Sequence, residues 1–360
     1  MNIQDSAKTR SAYAIGEPVK RKEDGRLLRG QGRYTDDVNL PNQAYAYMLR
    51  SSVAHGRIKS INTDAARKMP GVLGVYTGED MKAYGTIQSA LPFKSRDGSD
   101  MKKPGRAMLP TDKVRFVGDP IACVVAETVW QAKDAAEAIE LDIEPLPVIV
   151  DITKADAKGA PPIFDEVPNN VSVDYHYGDS DKVAAAFDSA AHKVKLKIQN
   201  SRLVVNAMEP RAAVGEYDKA ADSYTLHSVS QGVMGLKAGM VGAMKTTPDK
   251  MHIRTGNVGG SFGMKAPVYP EYVCILHASK QLGRPVKWTD SVRRASCPTA
   301  TAATTSRPPN WRWMPRAGSW RCGSTATAIS AASRVRWRRS RPRSIRCGTS
   351  SASIARRCSK

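Results

Sequence analysis

Residues 252–265 have the sequence HIRTGNVGGSFGMK, in which a strand-forming segment runs into a glycine turn. An apolar helix is predicted next, at residues 269–285, and Gly283 is placed to end it. Glycines between a strand and a helix let the backbone approach a ligand closely, and amide groups at such a junction favour anionic groups. The spacing matches neither the phosphate-binding pattern GxxxxGK[ST] nor the dinucleotide pattern GxGxxG. A structural turn that needs positive φ is the commoner use of such glycines, so this stretch alone leaves both interpretations open.

Outward from this turn, hydrophobic periodicity predicts a mixture of strands and helices. Period-two alternation in AYAYMLRSS (44–52) indicates a strand, whereas TVWQAKDAAEAIELDI (128–143) has apolar residues at helical spacing and leads into another strand. The predicted fold class is therefore α+β. The predicted divisions are a polar arm at 1–25, an α/β domain at 26–145, a Pro-rich linker at 146–165, a second unit at 166–290 and a tail at 291–360.

The positive charge of the chain is concentrated in the tail. The 360 residues carry a formal net charge of +21, but residues 291–360 hold 15 Arg and 1 Lys with no Asp or Glu. The preceding 290 residues therefore retain only five net positive charges, which is ordinary for a globular protein. Four of the six Cys and four of the six Trp also lie in the tail.

The composition of the tail is compatible with two interpretations. An Arg-rich segment with interspersed Trp could bind nucleic acid through phosphate contacts and base stacking. Alternatively, out-of-frame translation of GC-rich DNA yields Arg, Ala, Ser, Pro, Thr, Trp and Cys, which are the residues that fill this segment. The frameshift interpretation is favoured because it explains the missing carboxylates. A tail with so few large aliphatic residues is expected to be disordered.

The remaining cysteines and the N-terminus predict a cytoplasmic protein. Cys123 and Cys274 each lie in an apolar run, where a buried reduced thiol is the default expectation. The first 20 residues contain no apolar core of the length found in signal peptides, and no run of 18 apolar residues predicts a membrane span.

Five segments in a fixed order carry a resemblance to a known family. From about Gly16 to Asp290 the sequence resembles the molybdopterin-binding large subunit of the molybdenum hydroxylases, which include xanthine dehydrogenase, aldehyde oxidase and, most similar, aerobic carbon monoxide dehydrogenase. The matching segments are GEPVKRKEDGRLLRGQGRYTDDVNLP (16–41), VRFVGDPIACVVAETVWQAKDAAEAIELDIEPLPVIVD (114–151), NAMEPRAAVGEYD (206–218), SVSQGVMGLK (228–237) and VGGSFGMKAPVYPEYV (258–273).

The resemblance implies a fold, a cofactor and partners. It makes residues 26–145 an α/β hammerhead domain and residues 166–290 a truncated first molybdopterin-binding domain. The implied cofactor is molybdenum held by molybdopterin, in its cytosine dinucleotide form, and the implied reaction hydroxylates an electrophilic carbon with oxygen from water. Electrons would leave through iron-sulfur and FAD-binding subunits, and the large subunit would form a dimer.

The resemblance also assigns candidate cofactor-binding residues. Gln231 in SVSQG would donate a hydrogen bond to the apical oxo ligand of the metal, although a glutamine at a strand end more often bonds local backbone. Phe262 and Gly263 would lie beside the metal with the Gly263 amide facing the cofactor, the alternative for Phe262 being a core aromatic. Gly260 and Ser261 complete the set, and Ser261 stands where the family usually has Gly.

Several family features are expected to be absent from this chain. No catalytic residue is assigned, because the family's C-terminal glutamate, its substrate loop and its second cofactor-binding domain are not found, and no protein side chain is expected to bind a metal. Glu209 and Arg211 in MEPRA are interpreted as a structural ion pair. The chain is therefore expected to be an inactive fragment, and its small-molecule substrate is left open between carbon monoxide, an aldehyde and a purine.

The frameshift hypothesis predicts a specific result for the coding DNA downstream of codon 290. With plausible codons, reading from the third base of the Pro309 codon gives Glu-Leu-Ala-Leu-Asp, the first strand of an alternating β-hairpin. We therefore expect translation of all three frames to reveal a continuous strand pattern outside the given frame. Three frames without any such pattern would contradict the hypothesis.

Overall fold

The computed structural model describes residues 21–195 and 205–291, together with the backbone of four strands between residues 310 and 346. The helices are α1 (Asp24–Leu27), α2 (Asp64–Arg67), α3 (Val129–Glu137), α4 (Ser180–Asp188), α5 (Val233–Met244) and α6 (Pro270–Leu282). The strands are β1 (Ala44–Arg50), β2 (Gly56–Asn62), β3 (Val72–Tyr76), β4 (Lys113–Val114), β5 (Pro120–Ala126), β6 (Glu140–Pro145), β7 (Val171–Gly178), β8 (His192–Lys195), β9 (Ala212–Asp218), β10 (Ser223–Ser228), β11 (Met251–Arg254), β12 (Val286–Thr289), β13 (Asn310–Trp313), β14 (Ser319–Ser330), β15 (Ser333–Ser340) and β16 (Ile345–Arg346).

A seven-stranded sheet forms the centre of the fold, in the order β11-β10-β9-β12-β1-β5-β3. Three of its strands come from the first predicted domain and four from the second unit. The junction is the parallel pairing of β1 with β12, in which Ala44 lies opposite Val286 and Ala46 opposite Trp288. The two units recognised in the sequence therefore share one sheet.

Helices cover both faces of this sheet. β5 is buried along its whole length and divides its side chains by parity. Cys123 and Val125 pack in the same core cluster as α6, whereas Ala122 and Val124 belong to the cluster that contains α3. α6 is buried from Pro270 to Ser279, as its continuous apolar sequence predicts.

The prediction of buried reduced thiols is confirmed for both cysteines of the globular region. Cys123 on β5 and Cys274 on α6 are free and fully buried in one core cluster. A hydrogen bond with the Cys123 thiol, together with burial, raises the pKa of Cys274, so this sulfur is held as an inert thiol.

A buried network of charges links the two units beneath this sheet. The Arg211 guanidinium donates to Asp290 at 2.8 Å and to Glu271 at 3.3 Å, and Arg50 donates to the same Glu271 oxygen at 2.6 Å. The Arg211 guanidinium also stacks over the rings of Tyr269 and Trp288 at 3.9 and 5.1 Å. Burial opposes ionisation of Glu271, but the charges of Arg211 and Arg50 outweigh it and lower the pKa of Glu271 to about 2.

Two smaller sheets complete the described architecture. β2 lies between β4 and β6 in a three-stranded sheet. The second has the order β7-β15-β14-β13-β8, with β16 on β14, and so joins strands of residues 166–195 to strands of the tail. β13 and β14 form a hairpin in which Trp313 lies opposite Trp320.

The tail therefore differs in part from the expected disorder. Four strands are described there, because ladder hydrogen bonds use only backbone groups and Thr, Trp and Ile tolerate extended geometry. The other tail residues, like those of the polar arm up to residue 20, lie outside the described residues. Within the described part of the chain, no helix has the length and apolarity that crossing a bilayer requires.

The Glu271 network predicts a large stability effect at a position remote from the glycine turn. Glu271→Gln leaves two buried arginines short of a carboxylate, so we expect the free energy of unfolding to fall by about 3–5 kcal/mol. Glu127→Gln is the control, because Glu127 forms an exposed pair with Arg284 and should cost less than about 1 kcal/mol. Urea denaturation measures both, and equal losses in the two variants would contradict this account.

Candidate functional site: an oriented amide at a glycine turn

The glycine turn, residues 256–265, connects β11 to the segment that precedes α6. Its backbone has positive φ at Gly260 (99°), Phe262 (50°) and Gly263 (89°). A non-glycine residue such as Phe262 takes this conformation at an energetic cost, so the surrounding contacts must hold it there. Gly259 is required for a different reason, because a Cβ at this position would lie 2.5 Å from the Cβ of Glu209.

Gln231 contacts the glycine turn through its amide oxygen. It follows β10 and precedes α5, and its backbone N–H donates to the Lys265 carbonyl at 3.1 Å. Its Oε1 accepts from the Ser261 hydroxyl at 2.7 Å and from the Gly263 amide at 3.0 Å. The bonding is thus to residues about thirty positions further along the chain, not to local backbone.

This bonding fixes the direction of the Gln231 side chain. A backbone N–H can only donate, so the group facing Gly263 must be the oxygen of the amide. The Nε2 group therefore points the other way, and no described residue accepts a hydrogen bond from it. Because the Gln231 side chain is exposed, its Nε2 group can donate a hydrogen bond to a ligand.

Ser261 contributes more than its backbone. Its hydroxyl donates to Gln231 and accepts from the Lys265 amide at 3.2 Å, so it links the tip of the turn to its end. A glycine at this position would lack both contacts. The departure from the family's usual glycine thus supplies a second anchor for the Gln231 amide.

The structure bears on the predictions for Phe262 and Gly263 in different ways. Phe262 is 75% exposed, which excludes the alternative of a core aromatic. The Gly263 N–H, which is predicted to face a cofactor, donates to Gln231 in this structure. The Gly260 and Ser261 amides, in contrast, have no hydrogen-bond acceptor among the described residues.

Beneath the turn lies a buried ion pair that the sequence did not reveal. Lys265 is 1% exposed and its Nζ donates to Glu209 Oε2 at 2.9 Å. The expected ion pair between Glu209 and Arg211 is wrong, because Arg211 instead bonds Glu271 and Asp290. Lys265 gave no sequence signal, since a lysine after a loop is usually solvated.

The chemistry available at this surface is that of neutral donors beside apolar side chains. The Gln231 amide is directed outward, and a side-chain N–H donor suits an oxygen-rich ligand. Met208, which precedes Glu209, and Met234, three residues after Gln231, are largely exposed, as is Phe262. Within the described residues no cluster of His, Cys, Asp and Glu is arranged to hold a metal ion.

Two family descriptions match the chain in the order of its domains. Residues 29–147 match the a/b hammerhead domain of aldehyde oxidase and xanthine dehydrogenase, and residues 163–307 match the molybdopterin cofactor-binding domain. The second match contains Gln231 and the whole glycine turn.

Similar proteins carry consistent names. The chain is 34% identical to the nicotine 6-hydroxylase large subunit of Paenarthrobacter nicotinovorans, over 78% of this chain and 34% of that protein. It is 33% identical to the carbon monoxide dehydrogenase large chain of Afipia carboxidovorans, over 81% of this chain and 37% of that protein. The chain thus spans about a third of the length of these relatives.

Solved structures agree with the sequence matches. Quinoline 2-oxidoreductase from Pseudomonas putida 86 superposes with a TM-score of 0.75 at 28% identity, covering 82% of this chain and 37% of that one. Carbon monoxide dehydrogenase from Oligotropha carboxidovorans gives a TM-score of 0.72 at 31% identity, covering 82% and 37%. With its hammerhead domain followed by a molybdopterin cofactor-binding domain, the chain belongs to the molybdenum hydroxylase family of oxidoreductases that includes xanthine dehydrogenase and carbon monoxide dehydrogenase.

Proposed function

We propose that this chain supplies a molybdopterin-binding surface of a molybdenum hydroxylase large subunit, and that Gln231, Gly260, Ser261, Phe262 and Gly263 form part of that surface. The observation that carries the proposal is the orientation of Gln231. Its oxygen is used inside the protein and its Nε2 donor is directed outward. The reaction class is hydroxylation of an electrophilic carbon with oxygen from water.

The residues present fit the cofactor of this family. Molybdopterin and its metal present oxygen acceptors and a flat ring system, and the turn offers three neutral donors beside exposed apolar side chains. When bound, the cofactor supplies the oxygen-transfer and two-electron chemistry. Gln231 Nε2 would donate to an oxygen of the cofactor, and the Gly260 and Ser261 amides would donate to its other acceptors.

The roles of Phe262 and Gly263 follow from their geometry. The exposed Phe262 ring would cover an apolar face of the bound group and exclude water from it. Gly263 would act through Gln231, because its amide holds the Oε1 atom and thereby the orientation of Nε2. The protein's contribution is orientation, which is effective because the donors are fixed before the ligand arrives.

We also propose partners, a cofactor form, an assembly and a location for the protein. Iron-sulfur and FAD-binding subunits are proposed as partners, since related proteins are named as subunits of larger enzymes, one of them the gamma subunit of a 6-hydroxypseudooxynicotine dehydrogenase complex. The cytosine dinucleotide form, the large-subunit dimer and the cytoplasmic location rest on family resemblance and sequence. We attribute residues 291–360 to out-of-frame translation and expect no turnover from this chain alone.

Gln231→Glu tests the proposed cofactor contact. The variant keeps an oxygen for Ser261 and Gly263 but replaces the outward donor with an acceptor. We expect pterin content to fall by at least about tenfold, since an acceptor facing an acceptor loses a hydrogen bond and adds repulsion. The measurement is pterin fluorescence of the protein purified from a host that makes molybdopterin, with the melting temperature recorded alongside.

Gln131→Glu on α3 is the matched control, because it makes the same chemical change on a helix of the hammerhead domain. It should retain wild-type pterin content. Equal pterin content in the Gln231 variant and the wild type would contradict the contact, and a wild-type chain without pterin would contradict the proposed function.

A further inference from the structure

The Glu209 carboxylate lies where three segments of the chain meet. It belongs to the MEPR segment before β9, and it faces both the glycine turn and the N-terminal strap, which we define as residues 33–39. Glu209 is 8% exposed. A carboxylate so far from solvent must be compensated by hydrogen bonds or by a countercharge, and here both are present.

Towards the glycine turn, Glu209 is bonded through side chain and backbone. Its Oε2 accepts from the Gly259 amide at 2.8 Å and from Lys265 Nζ at 2.9 Å, so one oxygen bonds both the interior of the glycine turn and its last residue. Its own amide donates to the Gly259 carbonyl at 3.1 Å. The absence of a Cβ at Gly259 permits this approach.

Towards the strap, the second carboxylate oxygen accepts from the Thr35 amide at 3.4 Å. The strap also bonds the glycine turn directly. The Asn257 backbone N–H donates to the Arg33 carbonyl, and the Asn257 side-chain Oδ1 accepts from the Arg33 backbone N–H, both at 2.8 Å. A further bond to the strap comes from β12, where Lys287 Nζ donates to the Asp36 carbonyl at 2.6 Å. The strap thus lies along the base of the turn.

We infer that Glu209 is the positioning residue of the glycine turn, stapling it to the N-terminal strap so that Gln231 and the exposed tip keep one geometry. This inference rests on the proposed function in one respect, because cofactor binding is the reason why the turn must keep one geometry. The turn contains the strained Phe262 and two glycines with positive φ, so it needs an external restraint. Lys265 balances the buried charge, whereas the Glu209 oxygens make the backbone contacts.

The test uses the full chain without cofactor and measures peptide-resolved hydrogen exchange. In Glu209→Gln one carboxylate oxygen becomes an N–H₂ group that faces other donors, so at least one edge of the staple is lost. We expect exchange across residues 257–265 to accelerate about tenfold or more, as loss of hydrogen bonds to a charged acceptor implies. Lys265→Met keeps both backbone contacts but leaves the buried carboxylate without its countercharge, so it should lower the free energy of unfolding while accelerating exchange in the turn less than Glu209→Gln does.

Asp119→Asn is the matched control for general destabilisation. Asp119 is a buried carboxylate that likewise accepts from one cation, Arg106, and from one backbone amide, Arg115, but it lies in the hammerhead domain. Its variant should leave exchange in the turn unchanged. The inference fails if Glu209→Gln leaves the turn protected, or if either comparison variant exposes the turn equally.

A second readout separates this inference from the proposed function. Pterin content after expression in a cofactor-producing host should fall in Glu209→Gln and be retained in Asp119→Asn. If the wild type binds no pterin, the proposed function fails while the exchange data still decide the staple. If exchange accelerates in Glu209→Gln but its pterin content stays at the wild-type level, the turn is stapled without serving the cofactor, and the positioning role is overturned.

Discussion

The ion pairs of Glu271 constrain the rest of this structure. This carboxylate lies in the first turn of α6, where the helix dipole favours negative charge, and it is shared by Arg50 of β1 and Arg211 beside β9. Burying these charges is costly unless they are paired, so the packing of β1, β9 and α6 that brings them together is favoured over arrangements that separate them. The same packing contains the parallel pairing of β1 with β12, through which the two units share one sheet. It also holds the first turn of α6, the helix that follows the glycine turn in the chain.

The glycine turn, which lies between β11 and α6 in the chain, combines a restrained base with an exposed tip. At the base, the Glu209 and Lys265 side chains and the strap residues satisfy one another in the protein interior. At the tip, Gly260 and Phe262 adopt positive φ, and Phe262 projects into solvent. Strain of this kind persists only where neighbouring contacts determine the backbone, and it commonly marks a binding surface. The Gln231 amide stands between base and tip, bonded to both Ser261 and Gly263.

Local elements were predictable from sequence, but long-range partners were not. Alternation and capping located β1, α3 and α6, because each depends on residues close in the chain. The pairing of β1 with β12 joins segments about 240 residues apart, and no periodicity encodes such a partner. Resemblance to a family located Gln231 and the glycine turn, yet the direction of the Gly263 amide depends on tertiary contacts. The burial of Lys265 could not be predicted, because lysine side chains are usually exposed to solvent. Only the position of Glu209 explains it.

Charged side chains and the proposed ligand-binding groups lie in different parts of the glycine turn. The charged side chains that bond each other beneath the turn, Glu209 and Lys265, are buried and paired, while the groups proposed to face a ligand are an amide and backbone N–H donors. Neutral donors contribute little long-range attraction, so recognition at such a surface depends on distance and direction. Because recognition of this kind depends on geometry, the glycine turn must be held in place. The buried Glu209–Lys265 ion pair restrains it, although its tip carries no charged side chain. Among the described residues, the contacts that position these donors lie within residues 33–39 and 205–291, so none of these contacts uses the positive charges of the tail.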